Sequence, residues 1–262
     1  MQALTVQGHI KANHVEDETG WRAVERCQAK VARLVECGQI RNSRPVDPLR
    51  DEDHLFPTPN GWSWARLGTI ADIVSGVTKG RKLAGRKTVE LPYLRVANVQ
   101  RGRLDLEKMK SIEIPVQEED RYQLQFGDLL LTEGGDWDKL GRTAIWRGDI
   151  PRCIHQNHVF RARLGDNSIL PEWVMLFTNS LVGRAYFENA AKQTTNLASI
   201  NMKQLRNCPV PVPPTATQRH IIEVVGQFSA RISELSATLH EVDVVGDRLA
   251  LTAIRSWCHR IS

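Results

Sequence analysis

Pro209-Val210-Pro211-Val212-Pro213-Pro214 leads into Ile221, Val225, Phe228, Ile232, Leu235, Leu239 and Val242, apolar residues at steps of 4, 3, 4, 3, 4 and 3. That alternation draws a narrow stripe along a helix, the pattern of a coiled-coil seam. Prolines are not tolerated in a helix interior, so this run ends one kind of structure and launches another. A helix that packs on its own body shows a wider apolar face, and the narrow seam therefore predicts a second helix as its cover. The chain reads as a body followed by a long helical arm over 215–262, a part of an assembly. Beyond Val242 the register falters at Gly246 and partly resumes at Val245, Leu249 and Ile254.

Upstream of the prolines the pattern changes. Residues 1–16 show no periodicity and are expected to be frayed. Val24, Cys27, Val31 and Leu34, at steps of 3, 4 and 3 with Gly38 behind them, predict a short helix over 17–38, assigned to the same coiled-coil region. Pro45, Pro48, Pro57 and Pro59 amid mixed charges make 39–56 a linker. The body, 57–214, opens at Gly61-Trp62-Ser63-Trp64. Strands are predicted at Leu67–Val74, Leu91–Val99, Leu129–Thr132, Thr143–Trp146 and Val159–Leu164, where short apolar runs alternate with turn residues. A helix is predicted from Pro171 to about Ala191, then a polar loop over Gln193–Asn201, then an extended segment over Leu205–Val212. The fold class is α+β, with helices added outside the body.

The 262 residues are 41% hydrophobic and 25% charged, an ordinary globular composition. No apolar run approaches the roughly 18 residues of a membrane span. Met1-Gln2-Ala3-Leu4-Thr5 carries no export signal. The five cysteines (Cys27, Cys37, Cys153, Cys208, Cys258) never fall in a C-x-x-C pair, which points to reduced thiols in a cytoplasm and away from zinc. Charge is concentrated. Lys79, Arg81, Lys82, Arg86, Lys87, Arg95, Arg101 and Arg103 lie between Ile73 and Leu104 with Glu90 as the only acid, whereas the whole chain carries +5. The body thus expects a polyanion and the arm another protein.

The order of motifs resembles that of the specificity subunits of type I restriction-modification systems. Gly61-Trp62-Ser63-Trp64-Ala65-Arg66-Leu67-Gly68 with Gly76-Val77-Thr78 is similar to the entry of that family's target recognition domain. Leu91-Pro92-Tyr93-Leu94-Arg95-Val96-Ala97-Asn98-Val99 with Gly102, Gly127-Asp128-Leu129-Leu130-Leu131 with Gly141-Arg142-Thr143-Ala144, and Gln156-Asn157-His158-Val159-Phe160-Arg161 follow in the family's sequence. Ile200-Asn201, Leu205, the proline run, Gln218 and the heptad helix complete it. The resemblance covers about residues 55 to 255. Family members usually carry two recognition domains and two long helices, and often Glu-Gln where Thr217-Gln218 stands here. One body and one full arm therefore imply half of such a subunit, or a chain that pairs with a copy of itself.

What the resemblance implies is non-catalytic, sequence-specific recognition of double-stranded DNA, one half of a bipartite target per body. Docking to methyltransferase and restriction subunits follows, with S-adenosylmethionine and ATP expected only on those partners; this chain is expected to hold no cofactor. The glycine-broken loop 79–87 can neutralise phosphates while its glycines admit a backbone closely. Arginine forks onto guanine, and asparagine or glutamine onto adenine. The candidate DNA-binding residues are accordingly Lys79, Arg81, Lys82, Arg86, Lys87, Arg95, Asn98, Arg101, Arg103, Lys139, Arg142, Gln156, Asn157, Thr194 and Asn196. The candidate interface of the arm is the seam itself, facing a second copy or a second half-subunit. A different class of reading, a coiled-coil scaffold whose basic face binds RNA or an acidic protein, stays open on these residues alone.

Enzymatic readings find no support. Gly76-Val77-Thr78-Lys79-Gly80 only echoes a phosphate loop, no lysine has an acid two positions before it, and the Pro213-Pro214 pair lacks the flanking residues of an adenine methyltransferase motif. His155-x-x-His158 on a strand puts its rings on opposite faces, so no metal and no catalytic residue is assigned.

Overall fold

A computed structural model describes residues 19–42, 45–135, 137–193 and 198–236, and the chain divides into two units at Ile221/Ile222. The first unit begins with helix α1 (Gly20–Glu36), whose first turn is capped by the Thr19 hydroxyl accepting from the Arg22 amide. Ala23, Val24 and Cys27 are buried along one side, and α1 packs on β1 (Ser63–Arg66) and β2 (Ala71–Ser75). Between α1 and β1 the proline-rich segment is tied down by Arg66. Its buried guanidinium donates to the carbonyls of Asp47, Pro48 and Asn207 and reaches the Asp53 carboxylate at 2.6 Å. His54 and Phe56 close over Trp64, with ring centroids 5.3 and 5.0 Å away.

The remaining strands are β3 (Thr88–Leu94), β4 (Val99–Gln100), β5 (Arg103–Leu104), β6 (Lys110–Pro115), β7 (Leu129–Thr132) and β8 (Gly134–Gly135). After them come β9 (Thr143–Ile145), β10 (Ile154–His155), β11 (Val159–Leu164), β12 (Lys192–Gln193), β13 (Ala198–Ser199) and β14 (Pro209–Val212). The principal sheet runs β2-β11-β7-β9, antiparallel throughout. All four residues of β7 are buried, which is why its sequence is an unbroken apolar run rather than an alternation. A second sheet, β10-β3-β6, has β10 parallel to β3. The β1-β14 pair closes the body, and prolines fit in β14 because it has a neighbour on one side only. One core cluster joins Leu94, Leu130, Trp146 and Val159; another joins Val77, Leu91, Tyr93 and Ile154.

The α+β class is as expected, and the strands at 129–132 and 159–164 match their sequence signals. Five predicted elements change. The polar loop expected over Gln193–Asn201 holds β13, which pairs with β8 and β12. Leu67–Ile70 is a buried helical turn, so β2 starts only at Ala71. The strand expected to reach Val99 stops at Leu94. Asn98 ends it by closing a tight turn, its Oδ1 accepting from the Arg95 amide and its Nδ2 donating to the Asp105 carbonyl. The single helix from Pro171 is two, α2 (Pro171–Asn179) and α3 (Leu181–Ala190). Ser180 breaks it: its hydroxyl donates to the Phe177 carbonyl and accepts from the Gly183 amide, capping both. The last segment holds a helical turn, Met202–Arg206, and extends only from Pro209.

Helical residues 215–221 end the first unit. Thr215 and Gln218 fasten them. The Thr215 hydroxyl donates to the Ser168 carbonyl, and the wholly buried Gln218 amide bonds Leu170, Ser168 and Pro213. In the second unit residues 222–236 are helical. Along the expected seam Ile221 and Val225 are buried, whereas Phe228, Ile232 and Leu235 are exposed. Leu239 and Val242 lie outside the described residues, as does the resumed register beyond them. Among the described residues no helix is long and apolar enough to cross a membrane. Cys27, Cys37, Cys153 and Cys208 are unpaired, and burial pushes the Cys27 thiol up to about 11 and that of Cys153 to about 12.

Candidate nucleic-acid interface

Gly76 opens the basic loop at a point where no side chain fits: a Cβ there would stand 2.0 Å from the His155 carbonyl oxygen. The close approach lets the Val77 amide donate to His155 (2.8 Å) and the Asn157 amide donate to Val77 (3.0 Å). The Gln156 amide in turn donates to the Leu94 carbonyl at 2.9 Å, so Gln156 and Asn157 sit between the start of the basic loop and Arg95. From there the Glu133 amide donates to the His158 carbonyl, and the Glu133 carboxylate lies 2.6 Å from His158 Nδ1. Gly134-Gly135 pair with Ala198-Ser199. Arg142 Nη1 donates to Gln100 Oε1 at 2.8 Å and Arg101 Nη2 to the Asp138 carbonyl at 3.0 Å. These bonds join 76–78, 95–101, 133–142 and 155–158 into one continuous band.

The candidate residues divide according to what already engages them. Lys79, Lys82, Lys87 and Arg103 are exposed, and no acidic side chain among the described residues pairs with them. Arg81 and Arg86 converge on Glu118, at 2.7 and 3.8 Å, which halves their combined charge. The Val116 amide donates to the Lys87 carbonyl at the far end of β3 from Arg95. A seven-residue strand is about 20 Å long, so the basic loop is spread over that distance rather than gathered at a point. Gln156 and Asn157 are half-buried; the Asn157 amide is 3.4 Å from His158 Nε2. Arg95 donates to the Lys108 carbonyl. Asn98 is 2% exposed and both ends of its amide are spent in the turn, leaving no edge for a base. The Lys139 stem covers Gly135. Thr194 and Asn196 lie outside the described residues.

One residue of the band had no signal in the sequence. Arg184, on α3, comes close enough to Arg101 for its charge to be felt there. Burial first, then the cations Arg184 and Arg142, depress the pKa of Arg101, against Asp138 and Glu188, which raise it. The helix comes this close because Gly141, at φ +59°, leaves room for the Phe187 ring: a Cβ at 141 would be 2.4 Å from it.

The two histidines are engaged separately. His155 is fully buried, its Nδ1 2.6 Å from the Val159 carbonyl, and burial pushes its pKa down to about 4, so the ring is neutral. His158 is exposed and turned to Glu133. No cluster of three or more metal-ligating side chains occurs among the described residues.

Residues 59–242 match the profile of the family described as type I restriction modification DNA specificity domain. The chain is 24% identical over 240 residues to the type I restriction enzyme EcoEI specificity subunit of Escherichia coli, covering 90% of this chain and 40% of that protein. It is 26% identical over 244 residues to the EcoAI specificity subunit of the same organism, covering 88% and 39%. It thus spans about two fifths of the length of these relatives. In fold it is similar to a chain from structural work on complex assembly and conformational transition of the type I R-M system. That likeness has a TM-score of 0.53 at 20% identity and covers 87% of this chain and 52% of the other.

Proposed function

We propose a function from one premise: the chain belongs to the family of type I restriction modification DNA specificity domains. The body reads a short stretch of double-stranded DNA and performs no chemistry on it. Lys79, Lys82, Lys87 and Arg103 neutralise phosphates, and Gln156 and Asn157 offer amide edges to bases. The observation that carries this reading is the band: the backbone of two amide side chains is locked on both sides, by Val77 and by Leu94, next to the loop that carries the unpaired cations. A rigid mount of that kind suits base readout, where small displacements of the reading group cost specificity.

One body offers one reading surface, and a bipartite target needs two. The second comes from another copy of this chain or another recognition body, joined through the arm. The exposed Phe228, Ile232 and Leu235 support that pairing, because an uncovered apolar stripe is unfavourable in water. The arm also docks methyltransferase and restriction subunits, where methylation with S-adenosylmethionine and cleavage with ATP take place. If the partner is a second copy, two-fold symmetry makes the target an interrupted palindrome.

Gln156→Ala and Asn157→Ala test the assignment of base readers. Each is expected to remove about 1–3 kcal/mol of discrimination, about 5- to 150-fold in affinity for the selected target. Binding to a mixed-sequence duplex should stay unchanged. Fluorescence anisotropy on the two duplexes separates the outcomes: equal losses on both would make these residues backbone contacts, and no loss on either would move base reading elsewhere.

A further inference from the structure

Arg101 stands at the β4–β5 turn, Arg142 in the loop before β9 and Arg184 on helix α3, where both Arg184 and Arg142 repel Arg101, and the hydrogen bonding of the three is unequal. Each guanidinium nitrogen of Arg142 has a partner: Nε donates to the Asp138 carbonyl at 3.0 Å, Nη1 to Gln100, and Nη2 to the Asp138 carboxylate. Arg101 shares that same Asp138 carbonyl through Nη2 and reaches the Leu140 carbonyl at 3.4 Å, but its Nη1 is covered and has no partner. Among the described residues the Arg184 side chain has only a long contact to Glu188, 3.9 Å, and its Nε is likewise covered without a partner. A buried donor left unbonded costs about 1–3 kcal/mol, and more on a charged group. Two such donors on neighbouring like charges are an arrangement that an anion would relieve.

We propose that Arg101 and Arg184 together hold one backbone phosphate of the duplex. The anion draws both guanidiniums outwards and bonds their idle donors, a geometry that suits phosphate because guanidinium presents parallel N–H groups. The surroundings fit a nucleic-acid backbone. Gly102 follows Arg101 with nothing within 4 Å of the place a Cβ would occupy, so the approach is open, and Arg103 next to it is exposed. The depressed pKa of Arg101, caused by burial and by Arg184 and Arg142, agrees with a site short of negative charge. This inference rests on the DNA reading above and adds to it a residue, Arg184, that the sequence did not offer.

The test uses the full chain and a mixed-sequence duplex, with affinity measured against salt concentration. Arg184→Gln is expected to lower the slope of log K against log salt by about 0.9, and affinity at about 0.1 M salt by about eightfold, the loss of one phosphate contact. Arg101→Gln should do the same. The double variant should lose no more than either single, because both side chains serve one phosphate. Arg184→Lys, which keeps the charge, should recover most of the slope. Melting temperatures check the fold, and if Arg101→Gln does not fold, the Gln and Lys variants of half-buried Arg184 carry the test. A wild-type slope for Arg184→Gln, beside steep salt dependence in the wild type, overturns the clamp alone. A double variant that loses twice as much overturns the shared phosphate. Salt-independent binding by the wild type overturns the DNA reading and the clamp with it.

Discussion

Replacing Lys79, Lys82 and Lys87 together by glutamine is expected to weaken duplex binding by about five hundredfold at about 0.1 M salt. The figure follows from counterion release: each neutralised phosphate contributes about 0.9 to the salt slope, hence about eightfold at that concentration, and three contribute the product. The slope itself should fall by about 2.7. Stability should not change, because all three side chains are exposed and no acidic side chain among the described residues pairs with them. The loss should be equal for target and mixed-sequence duplexes, since phosphates carry no sequence. Arg81 and Arg86 make the contrast. Their charge is shared with Glu118, so substituting them should cost less per residue, and Glu118→Gln should strengthen binding by releasing them. An unaltered slope in the triple variant would make the loop a solvated surface and place the duplex elsewhere on the body.

Gln218→Ala is expected to lower stability by about 4 kcal/mol, the largest effect of any single change considered. The side chain is 0% exposed and makes three hydrogen bonds: Oε1 accepts from the Leu170 amide at 2.8 Å, and Nε2 donates to the Ser168 and Pro213 carbonyls at 3.0 and 2.9 Å. Removing it leaves a buried amide and a carbonyl without partners, at about 1–3 kcal/mol each, and a cavity besides. For a body of this size that corresponds to a melting temperature lower by about 10 °C. Arg219→Ala, one residue on and exposed, should stay within about 0.5 kcal/mol. Gln218→Glu should be at least as harmful as the alanine change, because it removes both donated bonds and buries a charge. Equal melting temperatures for Gln218→Ala and Arg219→Ala would refute the clasp.

The parts of the fold written in local sequence were legible, and the parts set by distant contacts were not. Leu129–Thr132 announced itself because a strand buried on both faces needs an apolar run, and Gly127-Asp128 supplied the turn before it. The break at Ser180 left no comparable mark. A serine is tolerated inside a helix, and only its bonds to Phe177 and Gly183 make it a double cap. Asn98 was read as a base reader because its residue type fits adenine, yet the same amide also closes turns, and here the turn has it. The basic loop was visible as composition, but its partial neutralisation by Glu118, 37 residues from Arg81, is a tertiary fact. Arg184 is the clearest case. On α3 it is one helical cation among others, and only the contact of Phe187 with Gly141 brings it to Arg101.

Under the proposed function this body distinguishes one DNA sequence from others. Binding-site selection from randomised duplexes, using the full chain with and without the methyltransferase subunit proposed as its partner and followed by affinities for selected and scrambled duplexes, is the decisive measurement. The expected result is a single enriched motif bound on the order of a thousandfold or more tightly than scrambled DNA. Equal affinity for every duplex, with no motif enriched, would contradict the account.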